Sequence, residues 1–239
     1  MYGAAAATAL VRCASASTTG GYPAPMATES AAEPVLAGSW WARIPAVLVA
    51  PRPIFALLRD DSDEAAEERQ EPLAAIAVLA AIAAVLPSPT FRRMLNDGAV
   101  SLSLVPVLAF IAGSLYAVVV FWLGGGLLYG AARRLGSEGS WRRARQTLAL
   151  AATPLALALL TFWPIRIAVY GEDLFRTGGD DYGRGDAIFG GVYLGFVAWA
   201  VLLLAIGVRT VHGWTWGRAA AAVALAAAFP LLIVAATAF

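Results

Sequence analysis

The sequence predicts an all-α fold: a polytopic membrane protein with a five-helix transmembrane bundle, preceded by an N-terminal amphipathic interfacial helix. Three observations predict it. Of 239 residues, 60% are hydrophobic and 14% charged, whereas a soluble domain carries about a quarter charged residues; the mean hydropathy is +0.71. Apolar runs approach or reach the roughly 20 residues that cross about 30 Å of hydrocarbon. Arginines gather in alternate loops, as they do when one side of a membrane protein faces the cytoplasm.

Residues 1–38 read as a disordered tail. The stretch "GGYPAPMATESAAEPVLAG" has no periodicity. "MYGAAAATALVRCASAS" lacks a basic n-region, and Arg12 interrupts its apolar run, so it does not fit a signal peptide. A genuine tail and a true start at Met26 both stay open. The single Cys13 excludes an internal disulfide and a cysteine-based metal site.

Residues 39–71 read as a cytoplasmic amphipathic segment and an acidic linker. Ser39 suits an N-cap, and Trp40, Trp41, Ile44, Val47 and Leu48 recur at helical spacing beside Arg43. Pro51 and Pro53 break this helix, and a second turn presents Ile54, Phe55 and Leu58. Trp on one face with Arg43 and Arg52 nearby fits a bilayer surface and anionic lipid. The alternative is a cytoplasmic helix packed on the protein's own loops.

Residues 72–239 read as the five-helix domain. The first helix, Leu73–Leu86, reaches only about 21 Å at about 1.5 Å per residue, with Pro72 in its first turn. The others run over about 99–123, 147–169, 187–208 and 218–239. Pro106, Pro154, Pro164 and Pro230 fall inside these spans as expected kinks. Gly126–x–x–x–Gly130 and Gly191–x–x–x–Gly195 are expected helix-packing sites. The segment "SWRRARQTLAL" repeats the logic of the opening stretch, with Trp141, Arg142 and Arg143 at the membrane interface. From Arg43 onward, eleven Arg fall on the side of the N-terminus and the second and fourth loops, against five opposite. The N-terminus is therefore expected in the cytoplasm and the C-terminus outside.

Chemistry is sparse. All 17 basic residues are Arg, so no Lys-dependent site exists. Together with abundant Ala, Gly and Pro, this points to a GC-rich, bacterial coding sequence and to the bacterial cytoplasmic membrane. The net charge of +1 implies no nucleic acid partner. His212 stands alone in a turn. Arg166 is expected to snorkel outward from the third helix. Glu172, Asp173, Asp180, Asp181 and Asp186 lie in one Gly-rich loop without a calcium-loop spacing, and read as solvated. No cofactor, metal or catalytic residue is expected.

A short Trp-containing helix, a Pro–x–Pro–x–Phe element ("PRPIFALLRD"), an acidic linker and apolar helices occur in order. So do "GSEGSWRRARQTLALAATPLAL" and "AVLLLAIGVRTVHGWTWGRAAAAVAL". From Trp40 to Phe239 this layout resembles the bacterial branch of the Yip family, the Ypt/Rab-interacting membrane proteins. The resemblance implies five membrane helices and a cytoplasmic N-terminus. Eukaryotic members are linked to vesicle traffic and Rab-type GTPases through a segment usually carrying Asp-Leu-Tyr-Gly-Pro; that run is absent here, so GTPase binding does not carry over. The expected role is non-enzymatic: membrane organisation or interaction through the cytoplasmic face, with anionic lipid or a protein partner. The alternative is a small transporter or channel using proline-kinked helices three and five.

Overall fold

The computed structural model describes residues 39–179 and 183–237. Every described residue belongs to one compact unit, Ala32–Phe239. The expected tail with its Met26 start, Asp180, Asp181 and the last two residues lie outside the described residues.

Among the described residues every regular element is helical. α1 (Trp40–Ala46) begins after Ser39, whose backbone is extended, and α2 (Pro51–Ala56) starts on Pro51. Proline there loses nothing, because the first N–H groups of a helix have no intrahelical partner. A 3₁₀ turn over Leu57–Arg59 comes next.

α3 (Asp63–Val85) takes in both the acidic linker and the first expected span. The Ser62 hydroxyl accepts from the Ala65 amide at 3.4 Å, and Asp63 and Glu64 sit in the first turn, where the helix dipole favours anions. Pro72 therefore lies inside the helix, not at its start. The buried face of α3 runs Ala66, Arg69, Leu73, Ile76, Ala80 and Ala83, the spacing of one helical stripe.

α4 (Val105–Val119), a π-helical turn (Val120–Gly124) and α5 (Gly125–Arg134) form one continuous helical stretch. The expected end at Leu123 is overturned. Three consecutive glycines do not stop the helix; Gly124 closes the π turn, and Gly125 and Gly126 open α5. Packing supplies the reason, since a Cβ on Gly125 would collide with the Arg145 side chain and one on Gly124 would meet Leu148 Cδ2 at 3.0 Å.

Ser140 caps α6 (Trp141–Ala151), accepting from the Arg143 amide at 3.0 Å. α7 (Thr153–Tyr170) begins after a break at Ala152. α8 (Arg184–His212) ends on Gly213, whose φ of 66° is the left-handed conformation that glycine adopts without strain. α9 (Trp216–Thr237) completes the described residues.

Pro106 and Pro154 stand in the first turns of α4 and α7. They start helices and do not kink them. Pro164 and Pro230 lie inside α7 and α9, where each ring removes a donor from the hydrogen-bond ladder.

Among the described residues, three stretches are long and apolar enough to cross a membrane: Leu102–Arg134, Trp141–Phe175 and Arg184–His212. Trp216–Leu232 is a shorter apolar helix. Their outward faces carry exposed Phe110, Leu115, Leu160, Ile188, Leu194 and Leu232 among others. That is the reverse of a water-soluble surface, which seldom exposes large contiguous apolar patches.

Long-range contacts define two ends. At one, Arg59 donates to Thr210 O at 3.0 and 2.6 Å, and Arg218 Nε donates to Leu135 O at 2.8 Å. At the other, Asn96 and Thr177 exchange hydrogen bonds of 2.7 and 3.0 Å. Tyr193 on α8 donates to Ala83 O on α3 at 2.9 Å and ties these helices together.

Candidate functional site

At the first end, three guanidinium groups close on the segment 57–63. Arg69 is 1% exposed. Its Nε donates to Gln146 Oε1 at 2.7 Å, one terminal nitrogen to Leu57 O at 3.3 Å, and the other to Asp60 O at 2.7 Å. Burial is the main influence holding its pKa below the ordinary guanidinium value, opposed by the charges of Asp61 and Asp60. Arginine is suited to this position because its planar fork reaches several acceptors at once.

Arg142 pairs with Asp63 at 2.6 Å and Asp61 at 3.4 Å, and donates to Asp61 O at 3.2 Å. Arg143 donates to Arg59 O at 2.8 Å and lies 3.7 Å from the Asp61 carboxylate. Asp60 accepts from the Ser62 amide at 3.0 Å, and that hydrogen bond is the main reason its carboxyl is held below the usual aspartate value.

This clamp fixes α1 and α2 on the bundle. Trp40 is 3% exposed, and Phe55 is fully buried. Both are expected from the sequence at the bilayer surface; both instead join a core with Leu73, Leu150 and Leu203. Gly207 makes room: a Cβ there would stand 2.6 Å from Phe55 Cε1. The greasy face of the opening stretch is thus satisfied by protein. Of the expected interface residues there, Trp41 (51% exposed) and Arg52 face outward, while Arg43 is half-buried with its guanidinium over the Trp40 ring at 5.2 Å. Arg142 and Arg143 are likewise turned to the protein's own acceptors.

Trp141 keeps an exposed ring, edge-on to Trp122 at 5.0 Å. Between them sits Arg145, its guanidinium carbon 4.2 Å from the Trp122 ring centroid, 5.1 Å from Trp141 and 5.2 Å from Phe121. A cavity of about 380 Å³ opens beside it, bounded by Gln70, Leu73, Ala74, Trp122, Arg142 and Gln146.

The expected glycine pairs do not pack helices within the chain. A Cβ on Gly130, Gly191 or Gly195 would meet nothing within 4 Å, and one on Gly126 would make ordinary contact with Trp141 at 3.7 Å. Close approaches fall instead at other glycines, among them Gly113 against Ile82, Gly125 against Arg145, and Gly207 against Phe55.

At the opposite end, Arg166 does not snorkel outward. It is buried and pairs with Asp186 at 2.7 Å, and Arg92 approaches the other oxygen of that carboxylate at 3.5 Å. Glu172 pairs with Arg176 at 2.7 Å. His212 Nδ1 donates to Val208 O at 2.9 Å, and its ring packs on Trp214 at 4.6 Å between centroids. Among the described residues, no three His, Cys, Asp or Glu side chains converge on a metal position.

Sequence reasoning missed the roles of Arg69, Gln146, Arg145 and Gly207. The first was detectable: once α3 starts at Asp63, Arg69 falls on the stripe of Ala66, Leu73 and Ile76, and a cation on an apolar stripe requires partners. The fit of α6 onto the π turn leaves no such periodicity.

Comparison with curated proteins and with solved structures returns no match. The family model described as the Yip1 domain matches residues 35–239. The match takes in the docked α1–α2 segment, the clamp and the apolar helices together, and the chain belongs to the Yip1-domain family.

Proposed function

We propose that this chain is a non-enzymatic protein of the bacterial cytoplasmic membrane. It crosses the bilayer five times, with its N-terminus inside and its C-terminus outside, and serves an organising or interaction role through its cytoplasmic face. The observation that carries the reading is the clamp: buried Arg69, with half-buried Arg142 and Arg143, holds an aromatic, proline-rich module against the arginine-rich end of an otherwise apolar bundle. Such a module presents a fixed surface, with Trp41, Val49 and Arg52 outermost. Exposed aromatic and Arg residues on a rigid support are the usual anchors of recognition. The positive-inside rule supports the orientation.

A transporter reading draws less support. Pro106 and Pro154 begin helices, so they do not mark broken helices around a substrate. The cavity of about 380 Å³ between α3, α4 and α7 is lined by residues such as Ile82, Val105, Phe110 and Leu159, none ionisable.

The test is a photo-crosslinking amino acid placed at Trp41 in living membranes, with one at Ile188, on the outward face of α8 toward the other end, as reference. Capture of a partner protein or of inner-leaflet lipid from position 41, and not from 188, is expected. Equal capture at both positions would count against a specialised cytoplasmic face.

A further inference from the structure

Arg145 is the cation that the clamp leaves over. Arg69, Arg142 and Arg143 each reach carbonyls or carboxylates. Arg145 makes no hydrogen bond or ion pair among the described residues; only ring faces touch its guanidinium, and its Nε is shut off from water without an acceptor. The half-buried guanidinium thus has a dry Nε and no counter-charge, while its terminal nitrogens keep donors for an incoming acceptor.

The surroundings are built to hold this side chain. Gly125 gives up its side chain where the Arg145 stem passes, and the π turn sets Phe121 and Trp122 against the guanidinium. π turns within α-helices recur at functional sites. Gln146 spends its amide oxygen on Arg69, which leaves its amide nitrogen as a donor toward the cavity. Gln70 offers a second amide at the rim, and Arg142 adds charge.

A second, narrower cavity of about 180 Å³ shares Phe121 with the first. It runs past Ala77, Ala80, Ala81 and Ala84 along α3 toward the opposite end, walled by Val120 and Leu155. A chamber with several donors therefore adjoins an alanine-floored groove at the Phe121 ring. This is the shape of an amphiphile: phosphate above, hydrocarbon below.

We propose that these adjoining cavities form a binding site for one anionic phospholipid, with the phosphate on Arg145 and the amide donors of Gln70 and Gln146, and an acyl chain passing the Phe121 ring into the groove of α3. Guanidinium and amide N–H groups are the standard partners of phosphate oxygens. A zwitterionic lipid fits less well, because its own cation would face Arg145 and Arg142. Free phosphate satisfies the chamber alone and leaves the groove empty. The inference rests on the membrane-spanning reading and gives its cytoplasmic face a ligand.

The full chain in a mild non-ionic detergent is titrated with phosphatidylglycerol, phosphatidylcholine or inorganic phosphate, and bound lipid is counted by native mass spectrometry. Phosphatidylglycerol should bind about tenfold or more tightly than phosphatidylcholine, and Arg145→Gln should remove that preference. Gln70→Glu puts a carboxylate on an exposed helical position at the chamber rim and should weaken phosphatidylglycerol by about tenfold without touching the core. That variant still decides the matter if Arg145→Gln fails to fold. Displacement of the lipid by millimolar phosphate would keep the phosphate chemistry but assign it to a soluble ester, which overturns the lipid. The site is overturned if the parent shows no preference, or if Gln70→Glu retains it in full. Failure here with an unchanged membrane topology would sink the site and leave the proposed function standing.

Discussion

Arg69 illustrates how one side chain organises a segment twelve residues back along the chain. Its guanidinium serves Gln146, Leu57 and Asp60 together, out of water. Arg69→Met should leave those acceptors unsatisfied and destabilise the protein by about 2–4 kcal/mol in a denaturant titration in micelles. Arg69→Lys should recover little, because an ammonium cannot span the three directions. Gly207 is the converse case, important for what it lacks. Gly207→Ala should cost about 1–3 kcal/mol by driving a methyl into the Phe55 ring, whereas Gly195→Ala, which faces open space, should change stability by less than about 0.5 kcal/mol. From sequence alone the two glycines cannot be ranked this way. Gly195 sits in a recognised pair, while the need for Gly207 depends on a ring from residue 55. Local spacing carries no information about such a partner.

At the scale of elements, α3 and the α1–α2 module are the most instructive. Ser62→Ala should cost about 1 kcal/mol and speed hydrogen exchange in the first turn of α3. The Ser-Asp-Glu start of α3 is readable in the sequence, but the Leu73–Leu86 apolar run draws attention away from it. Hydropathy reports where a helix is greasy, and the helix itself begins where a cap and a favourable charge allow. The opening stretch is readable as amphipathic, with its breaks at Pro51 and Pro53. What covers its apolar face is not, since lipid and protein reward the same residues. Phe55→Ala should lose about 3–5 kcal/mol, the range for truncating a buried aromatic, and expose the module to added protease. If Phe55 lay against lipid, protease resistance of the detergent-solubilised protein would not depend on it.

For the whole molecule, composition and Arg distribution disclose the membrane class, and the all-α fold comes with it. The packing order of the helices does not, because near-uniform Ala and Leu surfaces permit many arrangements. Orientation is open to direct measurement. In a Cys13→Ser background, Asp97→Cys should react with an impermeant maleimide in intact cells, and Glu138→Cys should react only after lysis. The reverse pattern would invert the bundle.

The clamp takes hold of Leu57, Arg59, Asp60 and Asp61 largely through their carbonyl oxygens. Every amino acid owns a carbonyl. Those four backbone grips are therefore blind to spelling, and the spelling of the passage is constrained where a side chain adds its own bond: the Asp61 and Asp63 carboxylates on Arg142, and the Arg59 guanidinium on Thr210 O.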